Sequence, residues 1–215
     1  MSTIRELNGP NDAAFEACMA LYLRSFPLNE REPVQRFVHY FPGGTAASRA
    51  ISHQLVSESA GSVEGYSYSQ FLEPVGLGFV VYIAIAEPFR GQGLGSKLLE
   101  ASISVLKADA ARLGLTYAAT MLEVERVEDA DTDAEKLKRA RRLRFFANAG
   151  AELLTSGYVQ PALADGQSEV PLNLLWIPNS PGPTREEVIR AFYREVFGLD
   201  GTNELVKASL AGVVA

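Results

Sequence analysis

Two groups of residues in this 215-residue chain have the types and spacing to do chemistry. The first is Arg90-Gly91-Gln92-Gly93-Leu94-Gly95-Ser96-Lys97, where alternating glycines leave backbone amides with no Cβ in front of them, so that an anion can approach closely. The second is the pair Glu123 and Glu125, two residues apart and therefore on one face of any strand that carries them. Amides massed at a turn bind phosphate, and a carboxylate flanked by apolar residues is suited to take a proton from a nucleophile.

Both groups need elements to hold them. Phe79-Val80-Val81-Tyr82-Ile83-Ala84-Ile85-Ala86 is an apolar, β-branched and aromatic run, which predicts a buried strand. Glu87-Pro88-Phe89 turns it into the glycine segment. From Gly93 the apolar residues fall at Leu94, Leu98, Ala101, Val105 and Ala108, a helical stripe that ends at Leu113 with Gly114 placed to cap it. Strand, glycine turn and helix N-terminus together aim free N–H groups and a helix dipole at an anion. Two phosphate motifs fail here: a P-loop needs Gly-Lys-Ser/Thr, but Ser96 precedes Lys97, and the dinucleotide fingerprint needs glycine where Ser96 stands. Thr116 to Glu125 alternates as a further strand, with Tyr117, Ala119, Met121, Glu123 and Glu125 on one side.

The rest of the chain frames these pieces. Strands are predicted at Thr3–Leu7, Ser52–Ser59, Tyr66–Glu73, Ala151–Val159 and Val170–Pro178, with hairpin turns at Ala60–Gly65 and Ala164–Gln167. A helix through Phe15, Cys18 or Met19, Tyr22 and Phe26 is followed by the polar loop Leu28–Glu32. A second helix over Val34, Phe37 and Val38 stops at Pro42-Gly43-Gly44. The segment from Val127 to Phe146 opens acidic and becomes arginine-rich, the order a helix dipole favours. After Pro178-Asn179-Ser180-Pro181-Gly182-Pro183, Thr184-Arg185-Glu186-Glu187 is a capping box that begins a helix, and a shorter helix follows at Asn203–Leu210. Net charge is −6, against a nucleic-acid partner. One cysteine, Cys18, and two distant histidines, His39 and His53, offer neither a disulfide nor a metal site. No signal peptide or membrane span is read, and the expected location is the cytoplasm.

From Ile85 to Gly95 the chain resembles the GNAT superfamily of N-acetyltransferases, whose motif Arg/Gln-x-x-Gly-x-Gly/Ala is filled by Arg90, Gly93 and Gly95. The proline lies one residue later than is common there. The resemblance implies an α+β fold, a mixed and mostly antiparallel splayed sheet flanked by helices, over residues 1–178. The helical extension 179–215 exceeds the resembled core, and its wide apolar stripe would pack on the same domain or on a partner, which leaves a homodimer open. It implies acetyl-CoA as co-substrate. Its pantetheine arm would lie along Ile83, Ala84 and Ile85, its pyrophosphate on Arg90, Gly91, Gln92, Gly93, Gly95 and Ser96, and backbone N–H near Ile85 would serve the oxyanion. Met121-Leu122-Glu123-Val124-Glu125-Arg126 is similar to the Leu-Glu-Val-Arg strand of ribosomal-protein alanine acetyltransferases, which implies Glu123 as general base, with Glu125 raising its pKa. Phe145-Phe146-Ala147-Asn148-Ala149-Gly150 resembles the family's second block, but Phe146 stands where a tyrosine usually protonates the leaving thiolate, and Tyr158 or Tyr82 could stand in for it. Glu30, Arg31 and Glu32 are candidates for choosing a small-molecule or peptide amine, and the arginines of 139–144 for the phosphates of CoA. Two other readings stay open: a CoA-binding module without turnover, and a general phosphate-binding domain.

Overall fold

The computed structural model describes residues 2–41, 50–179 and 182–214. The predicted stop at Pro42-Gly43-Gly44 and two residues of the linker, Ser180 and Pro181, lie outside them. The chain forms two compact units, Met1–Tyr117 and Ala118–Ala215.

In the first unit, β1 (Thr3–Glu6), β2 (Ala50–Ser59), β3 (Ser62–Leu72) and β4 (Leu77–Ile85) pair in that order, each antiparallel to the next. Helices α1 (Phe15–Ser25), α2 (Val34–His39) and α3 (Leu94–Leu113) cover them. Alternation sets the buried face of β4: Tyr82 and Ala84 join a core with Tyr22, Phe37, Tyr66 and Tyr68, while Val81, Ile83 and Ile85 are half-buried. Several of the aromatic rings meet edge-on, as at Tyr22 and Tyr82, 4.8 Å between centroids, which suits their quadrupoles, while Tyr68 and Tyr82 stack. Cys18 lies fully buried in this core, and burial pushes its thiol up to about 12, so it is an inert packing residue. The ladder between β3 and β4 slips: Tyr68 faces Tyr82 but Ser69 faces Val80, leaving Val81 as a bulge just before the segment predicted to line the cofactor. Behind β4, α3 comes close enough that a Cβ on Gly78 would lie 2.9 Å from Leu106, and a buried hydrogen bond of 2.8 Å joins Ser67 to Ser102.

In the second unit, β5 (Ala119–Glu125) pairs antiparallel with β8 (Val170–Pro178), which also pairs with β6 (Glu152–Thr155) and β7 (Val159–Gln160). Helices α4 (Asp133–Asn148), α5 (Arg185–Phe197) and α6 (Glu204–Ala211) complete it. Two expectations need correction. The single strand predicted over Ala151–Val159 is broken at Ser156–Tyr158. There the chain is pulled onto the C-terminal residues: Ser156 N donates to Gly212 O at 3.0 Å and Thr155 Oγ1 to Ser209 O at 2.6 Å. The arginines of α4 are also not at its end, because the helix runs on through Phe145–Asn148 and its last turn carries no base.

Candidate active site

The glycine segment forms the predicted turn. Gly91 and Gly93 take φ of 76° and 78°, the left-handed region in which a Cβ is strained, and neither has a heavy atom within 4 Å of where a Cβ would stand. Gly93 is the N-cap of α3 and supplies no side-chain acceptor, so the first amides of this 20-residue helix are left uncapped. The first bond back into the helix comes from Lys97 N to Gly93 O, 3.2 Å. No acid stands in the first turn, whereas α4, α5 and α6 each begin with one or more. An anion at this end of α3 would therefore meet an unopposed dipole. Arg90, Gly91, Gln92, Gly93 and Ser96 are exposed, Gly95 half-buried. Two side chains brace the turn itself: Arg90 Nε donates to Ile85 O at 3.0 Å and Gln92 Nε2 to Pro88 O at 3.0 Å. Ile83, Ala84 and Ile85 lead into it along β4, opposite Ser67, Tyr66 and Gly65.

Glu123 sits on β5 opposite Leu174 of β8, half-buried. Tyr158 donates its hydroxyl to Glu123 Oε1, and Gln160 Nε2 donates to Oε2 at 2.9 Å, so each carboxylate oxygen has a donor. Tyr158 is fully buried. Burial first, then the charge and hydrogen bond of Glu123, hold its phenol well above the usual value, and it stays protonated. Arg126 fixes the backbone beneath this pair by donating from Nη2 to Ser156 O at 3.0 Å and Tyr158 O at 2.8 Å, and from Nε to Leu172 O at 3.2 Å. Gln160 and Arg126 were missed in the sequence as site residues. No local signal marks Gln160, which lies 37 positions from its carboxylate.

Several candidates have other occupations. Glu125 is buried and pairs with Arg142, with Arg139 Nε at 3.8 Å, so its charge is compensated and does not act on Glu123 as an unpaired neighbour would. Arg139 further donates to Arg126 O at 2.7 Å. Two of the α4 arginines are thus spent holding that helix on β5, while Arg141 and Arg144 are exposed. The hydroxyl of Tyr82 donates to Glu30 O at 3.0 Å and accepts from Glu32 N at 3.2 Å, so it tacks down the Leu28–Glu32 loop instead of reaching a leaving group. In that loop Glu32 accepts from Tyr40 and lies 3.6 Å from Arg36, and Arg31 donates to Leu23 O at 2.7 Å. Phe146 is buried and packs edge-on against Phe145, 4.9 Å between centroids. Among the described residues no group of three or more His, Cys, Asp or Glu could hold a metal ion.

Comparison with known proteins decides the family. Residues 15–134, more than half of the chain and including the whole strand–turn–helix cradle and Glu123, match the family model described as the Acetyltransferase (GNAT) family. The chain belongs to the GNAT acetyltransferases. A candidate acetyltransferase of Bacillus subtilis (strain 168), YjbC, is 30% identical over 162 residues, 73% of this chain and 75% of that one. Among solved structures, a candidate GNAT acetyltransferase of Bacteroides thetaiotaomicron superposes with a TM-score of 0.67 at 19% identity, over 92% of this chain and 99% of that one. The ribosomal-protein-S18-alanine N-acetyltransferase of Escherichia coli does so with 0.53 at 20% identity, over 85% and 97%. At such identities the likeness of structure speaks for the GNAT fold alone. Family membership makes the chain an acyltransferase, with the family's mostly antiparallel sheet and flanking helices.

Proposed function

We propose that this GNAT enzyme transfers the acetyl group of acetyl-CoA to a primary amine of a small molecule or peptide by direct attack, with Glu123 as general base. The observation that carries the reading is the turn at the head of α3: left-handed glycines, an uncapped helix N-terminus and no acid in the first turn, an arrangement that favours a diphosphate. Arg90, Gly91, Gln92, Gly93, Gly95 and Ser96 would hold the pyrophosphate, and the backbone of Ile83, Ala84 and Ile85 the pantetheine arm.

An amine of pKa near ~10 is mostly protonated at neutral pH and must lose a proton to attack. Glu123 takes that proton. The amine nitrogen then bonds to the acetyl carbonyl carbon, backbone N–H near Ile85 supports the oxyanion, the nitrogen gives up its second proton to solvent, and the carbon–sulfur bond breaks to release CoA as its thiolate. A thiol of pKa near ~8.5 leaves without a dedicated acid, so Phe146 is compatible with turnover. The acidic chain, net −6, suits cationic acceptors, and its composition fits a cytoplasmic enzyme with no nucleic-acid or membrane partner. Among the described residues no helix is long and apolar enough to cross a membrane.

Isothermal titration with acetyl-CoA, ATP and NAD, followed by a free-CoA assay over a panel of amines, tests the reading. Acetyl-CoA should bind most tightly, and at least one amine should accelerate CoA release. Equal or tighter binding of ATP or NAD, with no amine-stimulated release, would overturn it.

A further inference from the structure

The two donors on Glu123 stand on a short stretch that the second unit's C-terminal helices hold in place. Tyr193 of α5 donates its hydroxyl to Val159 O at 3.0 Å, accepts from Val159 N at 3.3 Å, and lies 2.9 Å from Ser209 Oγ of α6. Ser209 Oγ donates to Gly157 O at 3.2 Å, and its carbonyl accepts from Thr155. The rings of Phe192 and Tyr193 pack on Tyr158 at centroid distances of 6.2 Å and 5.4 Å. Contact is close enough that only glycine fits at two points: a Cβ on Gly157 would strike the carbonyl of Ala208, and one on Gly212 would come within 2.5 Å of Gly157 N. This contact lies at the break between β6 and β7. Gln160, for its part, leaves its amide oxygen buried without a hydrogen bond while its nitrogen serves Glu123. An unpaired buried oxygen is destabilising, and such a group is retained where the amide has other work.

We propose that the α5–α6 pair is a positioning device for the base, holding Tyr158 and Gln160 as donors to the two oxygens of Glu123 so that the carboxylate is kept ionised and fixed in rotamer. The inference rests on Glu123 being that base. Titratable and charged groups facing the site include Tyr158, Tyr193 with Glu169 acting on it, and Glu125, which pairs with Arg139 and Arg142. Tyr158 and Gln160 donate to Glu123, so removing either donor changes its proton affinity. Hydrogen bonds to the ionised form favour it, so losing one makes the carboxylate easier to protonate.

The test uses the full chain as wild type, Tyr158→Phe, Tyr193→Phe and Glu123→Gln, with acetyl-CoA and the best amine of the panel as probes. A carbon-13 NMR titration of the glutamate carboxylates runs alongside, with the Glu123 signal assigned by its loss in Glu123→Gln. Tyr158→Phe and Tyr193→Phe should move the Glu123 titration and the acidic limb of kcat/KM to higher pH together. CoA release should fall about tenfold at the acidic limb and recover at alkaline pH. A loss of equal size at every pH with the Glu123 titration unmoved would mean a merely structural tail and would overturn the proposal. If Tyr193→Phe fails to fold, Ser209→Ala, which removes the hydroxyl from the same network, takes its place with the same two outcomes. Glu123→Gln keeping full turnover would instead defeat the base assignment, whatever the titration shows.

Discussion

Glu123 is held as a base should be: half-buried, on a strand, with a neutral donor on each oxygen, while Arg139 and Arg142 of α4 pair with Glu125 two residues away. Glu123→Gln keeps the size and loses the basicity, and we expect it to lower CoA release ~10²–10⁴-fold while acetyl-CoA binding by titration is unchanged, the span usual for removal of a general base. A matching loss of acetyl-CoA affinity would show instead that the side chain shapes the coenzyme site. Phe146 poses the opposite question. Its buried ring offers no proton, and Tyr82 and Tyr158, the other candidates, have theirs committed to Glu30 and Glu123. If the acid position is empty, Phe146→Tyr should raise turnover at alkaline pH, where solvent protonates the thiolate least readily. Unchanged turnover across the pH range would mean that departure of the thiol is not limiting.

At the scale of elements, the β4–turn–α3 unit was legible because its chemistry is contiguous: glycines at 91 and 93, a helical stripe from Leu94 and a cap at Gly114 all lie in one stretch, and the structure places the left-handed φ values at those glycines. The capping box at Thr184 and Glu187 was legible for the same reason. The Tyr158–Gln160 clamp was not, since its partners are 35 and 37 positions from Glu123 and its footing depends on Tyr193 and Ser209 further on. The break in the predicted Ala151–Val159 strand is partly local, since Ser156-Gly157 is a turn signal, and partly of the same distant class, since Gly157 lies against the backbone of α6. Replacing Gly93 by Ala tests the legible half. A Cβ in the left-handed region costs ~1–2 kcal/mol. With open space around it, the strain should appear as a several-fold weaker affinity for acetyl-CoA with little change in thermal midpoint, and an affinity equal to wild type would show that the turn does not need its left-handed form to bind.

For the molecule as a whole, the stability of the first unit should depend on pH through the cluster around His53. His53 of β2 bridges Glu6 of β1, 2.8 Å from Nδ1, and buried Asp109 of α3, 2.7 Å from Nε2, and Arg112 holds the second oxygen of Asp109 at 2.7 Å. In effect the ring ties the outer strand, through β2, to the helix that carries the amide turn. Burial disfavours the charged imidazole, but the hydrogen bonds to the two carboxylates, with their charges, outweigh it, and the folded ring's pKa is raised above the usual value. Because the folded value exceeds the unfolded one of ~6.5, the stabilisation is complete below that pH and is lost as pH rises through the folded value. Urea midpoints for wild type and His53→Gln between pH 5.5 and 9 measure this directly. Glutamine can donate to one carboxylate but carries no charge, so the wild type's advantage should be largest at the acidic end and shrink steadily toward the alkaline end. A gap that is constant or that widens with pH would mean the ring is held neutral, and the tie between strand and helix would then be a plain hydrogen-bond bridge with no dependence on proton uptake.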